Sequence, residues 1–229
     1  MTLTSQDLYK VCDATWPAKR VWVEDGWTRQ DGAGGGKRVS ATSLAGTQFD
    51  PSKATDPLYM IRDGEGLLDS HLESEGYAVV DPVNMYACPI DTLTNLPIPK
   101  VTAFAIWEPL AIMKEIWAEG GIGPARLDVM HRAELKTGIF SRWNEKPAGV
   151  AFAGVHNKIC MVHAVEVLPH QRRQGVAAWM MRKAAFWAAE QGADTMSVLC
   201  TKANTGANKL YSSLGMTVQA TYHYRQKDI

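Results

Sequence analysis

The stretch Val167-Leu168-Pro169-His170-Gln171-Arg172-Arg173-Gln174-Gly175-Val176-Ala177 runs from an apolar strand, through a loop holding two arginines, into a helix that begins near Gln174. The first N–H groups of a helix have no internal partner and the aligned peptide dipoles make that end positive, so a strand-loop-helix junction attracts an anion. Arg172 and Arg173 add full positive charge at the same place. Gly175, lacking Cβ, lets an oxygen of a diphosphate come up against the backbone. Taken alone, these residues fit a solvated basic loop ahead of an amphipathic helix equally well.

The pattern around this junction is regular. From residue 101 it predicts a strand over 101–107 and a helix over 108–118 with Leu110, Met113 and Trp117 on one stripe, stopped by Gly120-Gly121. A helix over 126–133 and strands over 137–143, 148–155 and 158–167 follow. The long helix after the junction spans 174–191, and a strand at 195–200, a helix at 205–214 and a strand at 216–225 complete the order. This is an α/β (α+β) pattern built around one sheet.

Upstream, Ser5 can cap a helix carrying Leu8, Val11 and Cys12, which Trp16-Pro17 ends. Extended runs at 20–29 and 38–44 flank Asp31-Gly32-Ala33-Gly34-Gly35-Gly36, which reads as a hairpin loop. A phosphate-cradling role for these glycines would require a helix start after them, where the pattern gives a strand. A strand at 58–62, a helix at 64–76 with Leu67, Leu68 and Leu72, and a strand at 77–88 come next. Residues 91–100, with Pro97 and Pro99, read as a linker, dividing the chain into an α/β half at 1–96 and a second unit at 97–229.

Arg172-x-x-Gly175-x-Ala177 resembles the acyl-CoA pyrophosphate motif of the GNAT acetyltransferase superfamily. Asn204-Thr-Gly-Ala207-Asn-Lys-Leu210-Tyr211-Ser-Ser-Leu214-Gly215-Met216 is similar to a second run of that superfamily, and the order of elements from residue 101 to 229 matches its topology. The resemblance implies a mixed, mostly antiparallel sheet flanked by helices, whose fourth and fifth strands splay to admit the pantetheine arm of acetyl-CoA as cosubstrate. It implies that Val165 and Val167 flank the pantetheine. The amides of Arg172, Arg173, Gln174, Gly175, Val176 and Ala177 would hold the diphosphate, and Asn204 would fix the pantetheine side.

Acetyl transfer to an amine needs a base to neutralise the nucleophile and an acid to protonate the departing thiolate. By the resemblance Tyr211 is the acid. Strand alternation places Met161, His163, Val165 and Val167 on one side, where the resemblance locates a base, and makes His163 the candidate. A bulge would reverse the parity and substitute Glu166, a water chain is a third route, and His163 also fits a satisfied core residue. Cys200 reads as a core thiol. Cys12, Cys88, Cys160 and Cys200 are too far apart for a CxxC and have no Cys-His cluster, so neither a metal site nor a disulfide framework is expected.

In the first half, Leu68 to Tyr86 echoes Leu210 to Tyr222: a helix end, a glycine, then a strand with a late tyrosine. Residues 1–96 are thus either a shortened second copy of the fold without its CoA loop or a coincidence of a common pattern. Only one strand follows Gly215, so the first half is expected to lend another and make the halves one folding unit. For the acceptor pocket, Trp107, Trp117, Phe140 and Trp143 are candidate walls. Glu108, Glu115, Glu119 and Asp128 are either a solvated face or a greeting for a cation.

With 24 Lys+Arg against 24 Asp+Glu, the chain lacks the basic footprint of a nucleic-acid binder, and no apolar run reaches the length of a membrane span. A soluble, cytoplasmic N-acetyltransferase acting on a primary amine of a small-molecule or amino-acid-like acceptor is the leading expectation. A protein lysine or N-terminal acetyltransferase and a non-catalytic acyl-CoA sensor are the competing ones, and association into a homodimer is open.

Overall fold

The computed structural model describes residues 3–227. In chain order the elements are α1 (Ser5–Thr15), β1 (Arg20–Glu24), β2 (Trp27–Asp31), β3 (Ser43–Leu44), β4 (Leu58–Arg62), α2 (Gly66–Ser74), β5 (Ala78–Pro89), α3 (Asp91–Thr94), β6 (Ala103–Ile106), α4 (Ala111–Glu119) and α5 (Pro124–Arg132). They continue with β7 (Leu135–Trp143), β8 (Lys146–His156), β9 (Ile159–Val167), α6 (Val176–Glu190), β10 (Thr195–Thr201), α7 (Thr205–Ser213) and β11 (Thr217–Gln226). From residue 101 onward this is the expected order. None of the helices described is long and apolar enough to cross a membrane.

Eight strands form one sheet in the order β4-β11-β5-β10-β9-β8-β7-β6, with β9 and β10 its only parallel neighbours. The strand that the second half lacked comes from the first: β5 lies between β10 and β11, pairing Met85 with both Leu199 and Ala220, and β4 pairs outside β11. The division at 96/97 therefore falls between strands of a single sheet. The two echoing segments also meet, since β5 and β11 run antiparallel side by side, each preceded by its helix and a glycine of positive φ (Gly76 and Gly215).

Two corrections concern the first 45 residues. The helix cap is Thr4, whose hydroxyl accepts the Asp7 N–H at 3.2 Å while the Asp7 carboxylate accepts the Thr4 N–H at 3.0 Å, a reciprocal box that Ser5 does not make. The hairpin turn is Asp25-Gly26, with φ of 52° and 83°, joining β1 to β2, and not the glycine run. A two-residue turn with both φ positive suits the twist of paired strands, whereas the longer glycine segment is free to do something else. It leads into a 3-10 turn at Lys37–Val39.

Apolar layers cover both sheet faces. On one, α6 lays Met180, Met181, Ala184, Ala185 and Ala188 against Cys160, Val162, Val198 and the β8 alanines Ala151 and Ala153. The alanines keep the helix close to the strands. On the other, α4 and α5 bring Met113, Trp117, Val129 and Met130 onto Val150 and Phe152, and α1 covers Met85 and Met161.

Because Met85 is fully buried at the seam between the halves, Met85→Ala is expected to cost about 2–5 kcal/mol in urea unfolding. Fluorescence and far-UV circular dichroism midpoints should fall together. Two separate transitions in the parent chain would contradict a shared folding unit.

Candidate active site

Parallel pairing of β9 with β10 runs from Ile159–Thr195 to Val162–Val198 and then stops. Beyond that pair β10 continues against β5 and β9 continues against β8, so the two strands part and open a cleft. At the parting β9 carries an extra residue: Phe152 faces His163 and Val150 faces Glu166, two steps on β8 against three on β9. Ala164, with φ of 52°, is the bulged residue. The Trp117 indole N–H donates to its carbonyl at 2.8 Å and holds it.

The bulge reverses the parity that simple alternation assigns. Val165 and Val167 pack toward α6 together with Val162, while His163 and Glu166 share the opposite face with Phe152 and Val150. The expectation that both valines lie on the side of His163 is thereby corrected.

Past Val167 the chain makes a 3-10 turn at Pro169–Gln171, and Arg172 is extended. Arg173 and Gly175 then take left-handed backbone, φ 63° and 80°, and Gly175 is the N-cap of α6 without any side-chain cap. Among the described residues nothing accepts the N–H groups of Arg173, Gln174, Gly175, Val176 or Ala177. Successive amides in such a conformation form a concave anion nest at the positive end of a fifteen-residue helix. Arg172 is the exception to the expected set. Its N–H already bonds the Pro169 carbonyl at 3.4 Å, and its Nε donates to the Val167 carbonyl at 3.0 Å. The Val176 side chain is core, so only its amide faces the nest.

His163 is buried between the rings of Trp16 and Phe152. The Thr15 hydroxyl gives its proton to the Val11 carbonyl at 2.6 Å, so at 2.8 Å it accepts from His163 Nε2–H. Arg38 Nη1 donates to Nδ1 at 3.0 Å. These partners assign the neutral Nε2–H tautomer. Burial, and then the Arg38 charge, hold the imidazole well below its ordinary pKa. With its lone pair occupied and a cation beside it, His163 has no means of taking a proton from an amine.

Glu166 differs in each respect. Its carboxylate is half-buried, accepts no hydrogen bond among the described residues, and is pushed above the ordinary carboxyl range by burial against the opposing pull of Arg172. It lies on the backbone of Gly120, the C-cap of α4, where a Cβ would stand 2.5 Å from its Cδ.

Tyr211 is buried with its ring 5.7 Å from that of Tyr86. Burial first, then the nearby Cys200, Glu166 and Tyr86, raise its phenol further above the ordinary range, so it stays protonated. Cys200 is likewise pushed up, to about 11, by burial, which fits a core thiol and not a nucleophile.

Asn204 caps α7, its Oδ1 accepting the Ala207 N–H at 3.1 Å. Asn208, which the sequence does not single out, ties the cleft together. Its Oδ1 accepts from Asn84 Nδ2 at 2.9 Å and from the Tyr86 hydroxyl at 2.8 Å, and its Nδ2 donates to the Asn204 carbonyl at 2.7 Å. Its partners on β5 come from 124 and 122 positions upstream, a distance no local pattern reveals.

A cavity of about 300 Å³ opens at the parting of the strands, walled by Trp16, Arg38, Asp81, Arg126, Ala164 and Thr201 among others. A larger one, about 940 Å³, lies at the far end of the sheet among Ile159, Thr195 and Thr217, away from the bulge. Of the expected aromatic walls, Phe140 is core, Trp143 packs toward α6, Trp107 stacks on Phe152 and His131, and Trp117 holds the bulge. Glu108 pairs with His131 at 3.0 Å, and Glu115, Glu119 and Asp128 are exposed. They form a solvated face.

Since His163 stays neutral in the fold but protonates near pH 6.5 when unfolded, acid favours the unfolded chain. Its contribution is complete above that pH and is lost as pH falls below it, with a slope of up to about 1.4 kcal/mol per pH unit. His163→Asn should flatten the fall in stability between pH 7 and 5, measured by urea titrations at each pH.

Residues 109–216 match the acetyltransferase (GNAT) family model. The fold is similar to a GCN5-related N-acetyltransferase from Kribbella flavida (TM-score 0.72, 18% identity, covering 100% of this chain and 97% of that one). A putative GNAT-family acetyltransferase from Novosphingobium aromaticivorans is similar at TM-score 0.57 and 16% identity, over 91% of this chain and 92% of that one. A tandem GNAT protein from the clavulanic acid biosynthesis pathway follows at TM-score 0.59 and 8% identity, over 96% and 87%. At these identities the likenesses speak for the fold. No curated protein matches the sequence.

Proposed function

The chain carries an acetyltransferase (GNAT) family domain, and from that premise we propose that it moves an acetyl group from acetyl-CoA to a primary amine of a small molecule by direct transfer. The observation that carries this reading is the row of acceptor-free amides from Arg173 to Ala177, set where β9 parts from β10. That nest fits a diphosphate, with the exposed Arg172 and Arg173 side chains beside it. Val165 and Val167, on the α6 side of β9, would line the pantetheine arm.

Acetyl-CoA supplies the thioester; the rest belongs to the chain. Because a peptide is planar and trans, fixing the Ala164 carbonyl on Trp117 turns the Val165 N–H the opposite way, toward the side where negative charge develops on a carbonyl oxygen. Glu166, half-buried and raised above the ordinary carboxyl value by burial, takes the proton of the amine. As the new C–N bond forms and the C–S bond breaks, the Tyr211 hydroxyl gives its proton to the departing thiolate. A pocket of about 300 Å³ suits a small acceptor better than an extended peptide.

Thiol release from acetyl-CoA across a panel of amines tests the proposal, and absence of turnover with every amine would refute it. Glu166→Gln should lower kcat about 10²- to 10⁴-fold and remove the acidic limb of the pH profile, which in the parent lies above the ordinary carboxyl range. Gly175→Val, at φ 80°, should abolish the thermal stabilisation given by CoA without unfolding the chain.

Gly120→Ala separates position from chemistry. The three atoms nearest the new methyl all belong to the movable Glu166 side chain, so the melting temperature should hardly change while kcat falls. An unaltered kcat would remove Glu166 from the base role.

A further inference from the structure

Arg38, on the wall of the 300 Å³ cavity, has no part in the chemistry proposed above. The glycine run at 32–36 packs tightly on α5, where a Cβ at Gly35 would stand 2.5 Å from Val129 Cγ2. The buried Val39 anchors the 3-10 turn that follows. This arrangement drives Arg38 into the wall of the 300 Å³ cavity, with its guanidinium carbon 5.4 Å over the Trp16 ring.

No carboxylate among the described residues touches the cation there, and Asp13, which feels its charge, is already paired with Arg62 at 3.1 Å. Arg38 Nη1 goes to the neutral His163, Nε is sealed from solvent with no acceptor, and the other polar groups close to the guanidinium are the uncharged hydroxyls of Tyr222 and Tyr224, which line the same cavity. Its neighbours do not make up the deficit. Lys37 already uses the one acid of the cavity wall, Asp81, at 2.9 Å, and Arg126 reaches only the Gly121 carbonyl at 3.4 Å. Charges in such enclosed places are ordinarily paired.

Building on the acetyltransferase reading, we infer that Arg38, with Arg126 beside it, binds the carboxylate of the acceptor, so that the substrate class is free amino acids. A guanidinium offers planar donors matched to a carboxylate. The same cavity is lined by Ala164 and Thr201, where the strands part, so an acceptor held there by its carboxylate keeps its amino group near the proposed transfer site. The surplus positive charge also disfavours an ammonium ion there and favours the neutral amine that attacks. Polyamines, which add cations and bring no anion, are excluded by the same charge.

The test uses the full-length chain with each of the twenty L-amino acids against its own amide, which keeps the side chain and amino group and removes the carboxylate. Two readouts are taken: thiol release from acetyl-CoA, and thermal stabilisation in the presence of CoA, which needs no turnover. The parent should prefer one or more acids over their amides, and Arg38→Gln should reduce that preference about 10- to 100-fold. Arg126→Ala, at an exposed position, keeps the idea testable if Arg38→Gln does not fold, and should reduce the preference in the same direction. Acids that stabilise the parent and not the variants, without turnover, would uphold this inference while refuting the acetyl transfer. Turnover of amides or polyamines at least equal to that of the acids, unchanged in both variants, would overturn it and leave the transferase reading standing.

Discussion

A left-handed alanine in the middle of a strand is costly, on the order of 1–3 kcal/mol, and the molecule keeps one at Ala164 by tying its carbonyl to the Trp117 indole at 2.8 Å. Three properties of the cleft follow from that constraint. The ladder between β9 and β10 ends one pair before it, after Val162–Val198. Glu166 moves to the face of His163, and Val165 and Val167 move to the face of α6. One strand thereby presents an apolar wall on one side and a carboxylate on the other, two surfaces that a regular strand could not offer from the same consecutive residues.

The first 96 residues complete the site instead of forming a separate body. β5 supplies Asn84 and Tyr86 to the network around Asn208 and Tyr211. α1 supplies Thr15, and the glycine run supplies Arg38, the two partners that clamp the His163 ring. The histidine therefore acts as a strut between a helix, a loop and the bulged strand. Its ring nitrogens carry contacts, whereas the Glu166 carboxylate on the same face accepts no hydrogen bond among the described residues.

Charge is distributed with a comparable division. The amide nest at α6 offers polarity without any buried ion, whereas the acceptor-side cavity holds guanidinium groups that lack acids. In the proposed reaction the first would hold a multiply charged cosubstrate and the second the carboxylate of the acceptor.

Local pattern was sufficient for the elements from β6 to β11 and for the strand-turn-helix junction at 167–177, because helix periodicity, glycine stops and the arginine-glycine spacing all act within a few residues. Strand alternation also raised Glu166 as the residue on the face of His163 if a bulge occurred, whereas Tyr211 was singled out by family resemblance. The bulge itself depends on Trp117, 47 positions from Ala164, and the state of His163 depends on Thr15 and Arg38, 148 and 125 positions away. Short-range propensity carries no trace of such contacts. The role of the glycine run was settled in the same way: its freedom of backbone fits a hairpin and a packed loop equally, and only the presence of α5 against Gly35 decides between them.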